Sequence, residues 1–114
     1  ADGEKYSGDW INDEMHGKGK MKYSNGDIYE GQFFNSRRDG QGKFIYKNGT
    51  IYNGGFKNDN YHGKGKMEYA NGNVYEGGYK NDKKHGKGKH TTAYGKVYER
   101  FYKNGIYSDK QNIF

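Results

Sequence analysis

Apolar and polar residues alternate along this chain in short runs, and the runs return at a fixed interval. From Tyr6 to Trp10, tyrosine, glycine and tryptophan occupy every second position, the period of a strand with one face turned to a core. Gly17 to Tyr23 alternates again, with Gly17, Gly19, Met21 and Tyr23 on one face and Lys18, Lys20 and Lys22 on the other. A polar stretch, Asn12 to His16, lies between the two, and Ser24, Asn25, Gly26 and Asp27 follow the second. Asn-Gly between alternating segments is the strongest short hairpin signal, because both central residues of a type I′ turn need positive φ. Each recurrence therefore predicts two strands, a polar loop inside the unit and a type I′ turn at Asn-Gly between units.

The interval is 23 residues: tyrosine stands at 6, 29, 52, 75 and 98. Four full units run over 6–28, 29–51, 52–74 and 75–97, followed by 98–114. The third position is Gly8, Gly31, Gly54 and Gly77, the fifth is Trp10, Phe33, Phe56 and Tyr79, and the seventh is Asn12, Asn35, Asn58 and Asn81. A Gly-x-Gly follows at 17/19, 40/42, 63/65 and 86/88. Residues 1–5 read as the tail of a preceding turn or an N-terminal cap. The fourth unit decays, with Thr92 where tyrosine stood and Tyr94 where asparagine stood. In the fifth, Arg100 replaces the third-position glycine, and Ser108, Asp109 and Gln111 fall where histidine and two glycines would be. Residues 98–114 thus read as a partial repeat and C-terminal cap, as terminal repeats must blunt an exposed edge.

No segment has helical periodicity, so the expected fold is all-β: a single-layer, elongated antiparallel meander of consecutive β-hairpins. With no second layer, the aromatic face must pack on its own glycines, and rings at the first and fifth positions are expected over bare backbone at the third, twelfth and fourteenth. Strands spaced about 4.8 Å apart advance the array by roughly 10 Å per unit, giving a rod of about 40 Å.

Composition changes this picture little. Mean hydropathy of −1.42 with 30% hydrophobic residues would by itself suggest disorder, but 18% aromatics, 13 of them tyrosine, belong to strands. There are no cysteines, so no disulfide or thiolate metal site can form, and a reducing, cytoplasmic setting is expected, peripheral to membrane or cytoskeleton. No apolar run approaches the roughly 18 residues of a membrane span, and the start has no signal-peptide core. The net charge of +6 favours acidic partners.

Three sets of residues invite a chemical reading. His16, His62 and His85 recur at one position, but about 10 Å apart they lie too far from one another to share a metal ion, and Asp39 interrupts the row. They read as loop-closing residues; no metal or cofactor is expected. The repeated His-Gly-Lys-Gly-Lys looks like a phosphate loop, yet no helix follows it, and no serine stands near a base, so catalytic residues are not expected. Lys18, Lys20, Lys43, Lys64, Lys66, Lys87 and Lys89 project from the face opposite the glycines, a ladder suited to an anionic surface and partly neutralised by Glu30, Glu76 and Glu99. Tyr6, Trp10, Tyr29, Phe33, Tyr52, Phe56, Tyr75 and Tyr79 are expected to form a partly open trough that takes a peptide or helix of a protein partner. Rings and lysines on opposite faces argue against nucleic acid, where both must meet one strand.

The unit resembles the MORN (membrane occupation and recognition nexus) repeat, whose pattern looks like YxGxWxxGxxHGxG followed by a late glycine. The likeness covers 6–97; Phe33, Phe56 and Tyr79 stand for tryptophan, Asp39 for histidine, and Asp13, Ser36, Asp59 and Asp82 for the loop glycine. The resemblance implies a non-catalytic interaction and scaffold module, with self-association possible, tethered to membrane or cytoskeleton. It leaves open an accessory region of a larger lipid kinase or SET-type methyltransferase, and direct binding of anionic lipid through the lysine face.

Overall fold

In a computed structural model, which describes residues 3–108, the chain is one sheet of ten antiparallel strands. They are β1 (Lys5–Ile11), β2 (Glu14–Lys22), β3 (Ile28–Phe34), β4 (Arg37–Ile45), β5 (Ile51–Lys57), β6 (Asn60–Glu68), β7 (Val74–Lys80), β8 (Lys83–Thr91), β9 (Val97–Lys103) and β10 (Ile106–Ser108). Each pairs with the next in sequence order, and the array measures 47 × 31 × 19 Å. The expected single-sheet meander of hairpins is therefore the fold. Of the expected cap at 98–114, the part up to Ser108 forms most of β9 and all of β10, while 109–114, with Asp109 and Gln111, lie outside the described residues, as do Ala1 and Asp2.

The turns differ from expectation. The polar segment inside each unit is a two-residue turn: Asn12 and Asp13 have φ of 49° and 66°, as do their counterparts with little change, and β2 begins at Glu14. This is the primed turn, and asparagine with aspartate or serine accepts its left-handed conformation. The Asn-Gly segment instead closes a three-residue loop. Only its glycine is left-handed, with Gly26 at φ 99°, and Tyr23 exchanges hydrogen bonds with Gly26 (3.0 Å) and Asp27 (2.9 Å). That is a type I turn followed by a glycine bulge.

The glycine assignments also need one correction. Between β1 and β2, Gly8 opposes Gly19 but Trp10 opposes Met15, so β2 carries extra residues around Gly17. Gly17, Gly40, Gly63 and Gly86 all have positive φ there. The twelfth-position glycine forms a bulge and is no seat for a ring. The seats are the third and fourteenth. A Cβ on Gly65 would stand 2.4 Å from the Tyr52 ring, and one on Gly54 would stand 2.5 Å from the Gly65 backbone. Over each seat lies a tyrosine whose hydroxyl donates to the carbonyl opposite the bulge: Tyr6 to Asp9 (2.7 Å), Tyr29 to Gln32 (2.7 Å), Tyr52 to Gly55 (2.8 Å) and Tyr75 to Gly78 (3.0 Å).

Units are joined on the aromatic side by an unbroken series of edge-to-face rings. Tyr29 meets Phe33 of its own unit (5.0 Å) and Phe56 of the next (5.0 Å); Tyr52 meets Phe56 (5.2 Å) and Tyr79 (5.4 Å). Offset and edge contacts of this kind are favoured by the ring quadrupole. The eighth residue of each unit clamps the tenth residue of the one before. Ser36 bonds Met15, Asp59 bonds Arg38 and Asp82 bonds Tyr61, each through its backbone N–H (2.9–3.1 Å) and, reciprocally, its side-chain oxygen.

Candidate functional site

The aromatic trough does not stand open at the central units. Tyr29, Tyr52 and Tyr75 are 0% exposed, and Phe33, Phe56 and Tyr79 are buried with them. Of the eight trough residues, only Tyr6 is half-buried and only Trp10, at 57%, is exposed. The closure comes from residues that alternation in the first strand does not reveal. Met21, Phe44 and Met67 lie in the same core, flanked by Met15, Tyr23, Tyr46, Tyr61 and Tyr69. The Tyr46 and Tyr61 hydroxyls meet in a short contact.

Tenth-position side chains fold over this layer. The Arg38 guanidinium lies 5.1 Å from the Phe44 ring centre and 5.7 Å from Phe56, while Asp59 holds it at 3.3 Å. Lys84 Nζ sits 4.7 Å from the Tyr75 ring, 5.5 Å from Tyr102 and 5.7 Å from Tyr69. Sequence reading missed these cations because their position belongs to the polar stretch; the signal was its variation between Met15, Arg38, Tyr61 and Lys84. Burial pushes the phenols of Tyr29, Tyr52 and Tyr75 well above their ordinary 10.0, with Arg38 opposing the shift at Tyr29. A phenolate could not be solvated there.

Of the three recurring histidines, His85 closes a loop. The Asn104 N–H donates to His85 Nδ1 (3.2 Å), and at the same step of the second unit the Asn58 N–H donates to an Asp39 carboxylate oxygen (3.2 Å). Asp39 thus keeps the acceptor that histidine supplies. His16 leans on Phe34.

The concavity lies on the other face. A groove of about 950 Å³ crosses β3 to β8, with Gly31, Gly42, Gly54, Gly65 and Gly77 along its floor. Lys43, Lys64, Lys66 and Lys87 line it, while Lys18, Lys20 and Lys89 lie outside it. The ladder is not one of bare ammonium groups. Register places Glu30 between Lys20 and Lys43, and Glu76 between Lys66 and Lys89, so opposite charges face one another across strands. At the centre Asn53 stands between Lys43 and Lys66 where glutamate stands in the second, fourth and fifth units, so two lysines flank a neutral residue. Lys87 reaches Glu99 at 3.3 Å.

The comparisons agree with the repeat just described. The MORN repeat matches residues 6–28, 29–51, 52–74 and 75–93, more than half of the chain. No curated protein sequence matches.

Proposed function

The chain belongs to the MORN repeat family, and from that premise we propose a non-catalytic protein-interaction module that seats a carboxylate-bearing segment of a protein partner in the lysine-face groove. One observation carries this reading: the long concavity lies where the glycine floor is bare and its lining holds Lys43, Lys64, Lys66 and Lys87 against only Glu30 and Glu76, an excess of positive charge centred on neutral Asn53. Bare glycine lets a partner backbone approach the sheet closely. A flat bilayer would touch only the rim of such a groove, whereas a polypeptide can lie along its floor; this favours a peptide over direct lipid binding. Tethering to membrane or cytoskeleton would then follow from the partner.

Selection of peptides from a displayed random library against the whole chain tests the reading. Selected peptides are expected to be acidic, to lose binding to the Lys43→Glu, Lys66→Glu double variant, and to keep binding to Trp10→Ala. Peptides indifferent to the charge reversal but lost with Trp10→Ala would move the function to the exposed aromatic end.

A further inference from the structure

Two departures from the repeat meet at one place on the aromatic face, between the fourth and fifth units, and a third lies outside it, at the clamp on the Lys84 backbone. Thr92 stands where Tyr23, Tyr46 and Tyr69 stand in earlier units, so the space of a phenol ring is left unfilled. His90 stands where Met21, Phe44 and Met67 fill the core, stacking on Tyr98 (5.0 Å, 7° between planes) and bonding the Tyr102 hydroxyl at 2.8 Å. Gly105 stands where Asp59 and Asp82 stand as eighth residues. Its N–H still donates to the Lys84 carbonyl (2.8 Å), so the clamp keeps its backbone half and lacks its carboxylate.

The result is a cavity of about 180 Å³ bounded by Tyr69, Lys84, His90, Thr92 and Tyr98. Its cation has no counter-ion among the described residues. In the second unit Arg38 is covered by aromatic rings and paired with Asp59 at 3.3 Å. Lys84 has the same aromatic cover, from Tyr69, Tyr75 and Tyr102, but no carboxylate partner among the described residues. Asn73, which also lines the cavity, spends its side-chain oxygen on the Ala93 N–H (2.9 Å), leaving its amide hydrogens as donors. Burial, then Lys84 and then Arg100, which stacks on Tyr98 at 4.9 Å, hold His90 below its ordinary protonation range. A partly buried ammonium with aromatic walls and uncommitted donors matches a single carboxylate, the group that unit two supplies from within.

We infer that this cavity binds a carboxylate group presented from outside the chain, taking the place of the aspartate missing at Gly105. It is separate from the lysine-face groove and does not rest on what that groove binds.

Titration of the full chain with sodium acetate, against sodium chloride at equal ionic strength and neutral pH, tests this by nuclear magnetic resonance. The His90 ring and the Thr91 and Thr92 amides are expected to shift and saturate. Lys84→Met keeps an unbranched stem on the rings without the charge, and is expected to weaken acetate binding roughly tenfold, the loss of one charge-assisted contact. Gly105→Asp restores the internal carboxylate at a φ that Asp59 and Asp82 already adopt, and is expected to block acetate in a folded protein. Lys80→Gln, an equal change in net charge elsewhere, is expected to leave binding intact. Unsaturating shifts, binding that survives Gly105→Asp, an equal loss in Lys80→Gln, or a stronger response to inorganic phosphate than to acetate would each overturn the carboxylate site.

Discussion

The first and third units are built alike and end differently. In both, the leading tyrosine lies on two glycines, and its hydroxyl reaches the carbonyl three residues on, at 2.7 Å from Tyr6 and 2.8 Å from Tyr52. In both, the fifth-position ring stands edge-on to that tyrosine, at 4.9 Å for Trp10 and 5.2 Å for Phe56. Yet Trp10 is 57% exposed and Phe56 4%. Phe56 is held between Tyr29 and Tyr52, whereas Trp10 has only Tyr6, with no tyrosine on its outer side among the described residues. The unit sets its own geometry, but burial comes from the neighbour. Stability should therefore reside mainly in the seams, as it does in quasi-one-dimensional arrays.

Alkaline pH breaks the comparison hardest. Tyr29, Tyr52 and Tyr75 have folded values raised above the ordinary 10.0, so the folded state holds their protons more tightly than the unfolded chain does. Their contribution to stability is complete below pH 10 and is lost as pH rises beyond it. Phenolate absorbance from these three tyrosines is thus expected only above pH 10.0, coinciding with loss of the strand signal in circular dichroism. A single step near 10.0, with the sheet intact, would contradict the buried ladder.

Paired truncations come next. Phe56→Ala is expected to cost about 4 kcal/mol, the usual price of emptying a buried aromatic site, and Trp10→Ala about 1 kcal/mol or less. Denaturant unfolding of the two variants measures the gap, and equal losses would place the stability inside units, not between them. The glycine seats give a smaller contrast. Cβ atoms on Gly65 and Gly19 would both stand 2.4 Å from a tyrosine. Tyr6, half-buried at the edge, can lift away, while Tyr52 is enclosed by Phe56, Tyr61 and Tyr79. Gly65→Ala is therefore expected to cost about 3 kcal/mol and Gly19→Ala about 1 kcal/mol, because overpacking is expensive only where nothing can yield.

Most of the sheet could be read from spacing alone, since the recurrence of Tyr6 at 29, 52, 75 and 98 fixes a unit, and alternation within it fixes two strands. What could not be read was local backbone. Asn-Gly at 25–26 carries the usual hairpin signature, yet the primed turn formed at Asn12-Asp13, because aspartate also tolerates positive φ and the two-residue loop matches the strand twist. The bulge at Gly17 escaped for a similar reason: Gly17 and Gly19 look equivalent in an alternating pattern, and only pairing shows that one bends the strand while the other seats a ring. The site was less legible than the fold. Counting hydrophobic alternation in the first strand suggests an open trough, whereas Phe44, Tyr61 and the guanidinium of Arg38 close over it from the second strands, with Tyr46 just past the end of β4. The groove on the lysine face runs across six strands, β3 to β8, and no spacing within one unit encodes it.

The finest contrast is between the seams at Met67 and His90, which occupy the same place in successive units. Met67 carries no titratable group. His90 is held below its ordinary 6.5, first by burial and then by Lys84 and Arg100, which face it from β8 itself and from β9; the rings of Tyr75, Tyr98 and Tyr102 complete its surroundings. A proton therefore binds the unfolded chain more readily than the folded one. The stability that His90 supplies is present above pH 6.5 and is lost as pH falls through 6.5 towards its lowered value. Loss should begin at the last seam, because protonation would place a third cation beside Lys84 and Arg100 while the central units keep their neutral core. Hydrogen exchange between pH 7 and pH 5 is expected to show β9 opening before β5, and His90→Met is expected to remove that difference. Uniform opening of both strands in the parent protein, or an unchanged pH dependence in His90→Met, would show that the seam does not sense the proton.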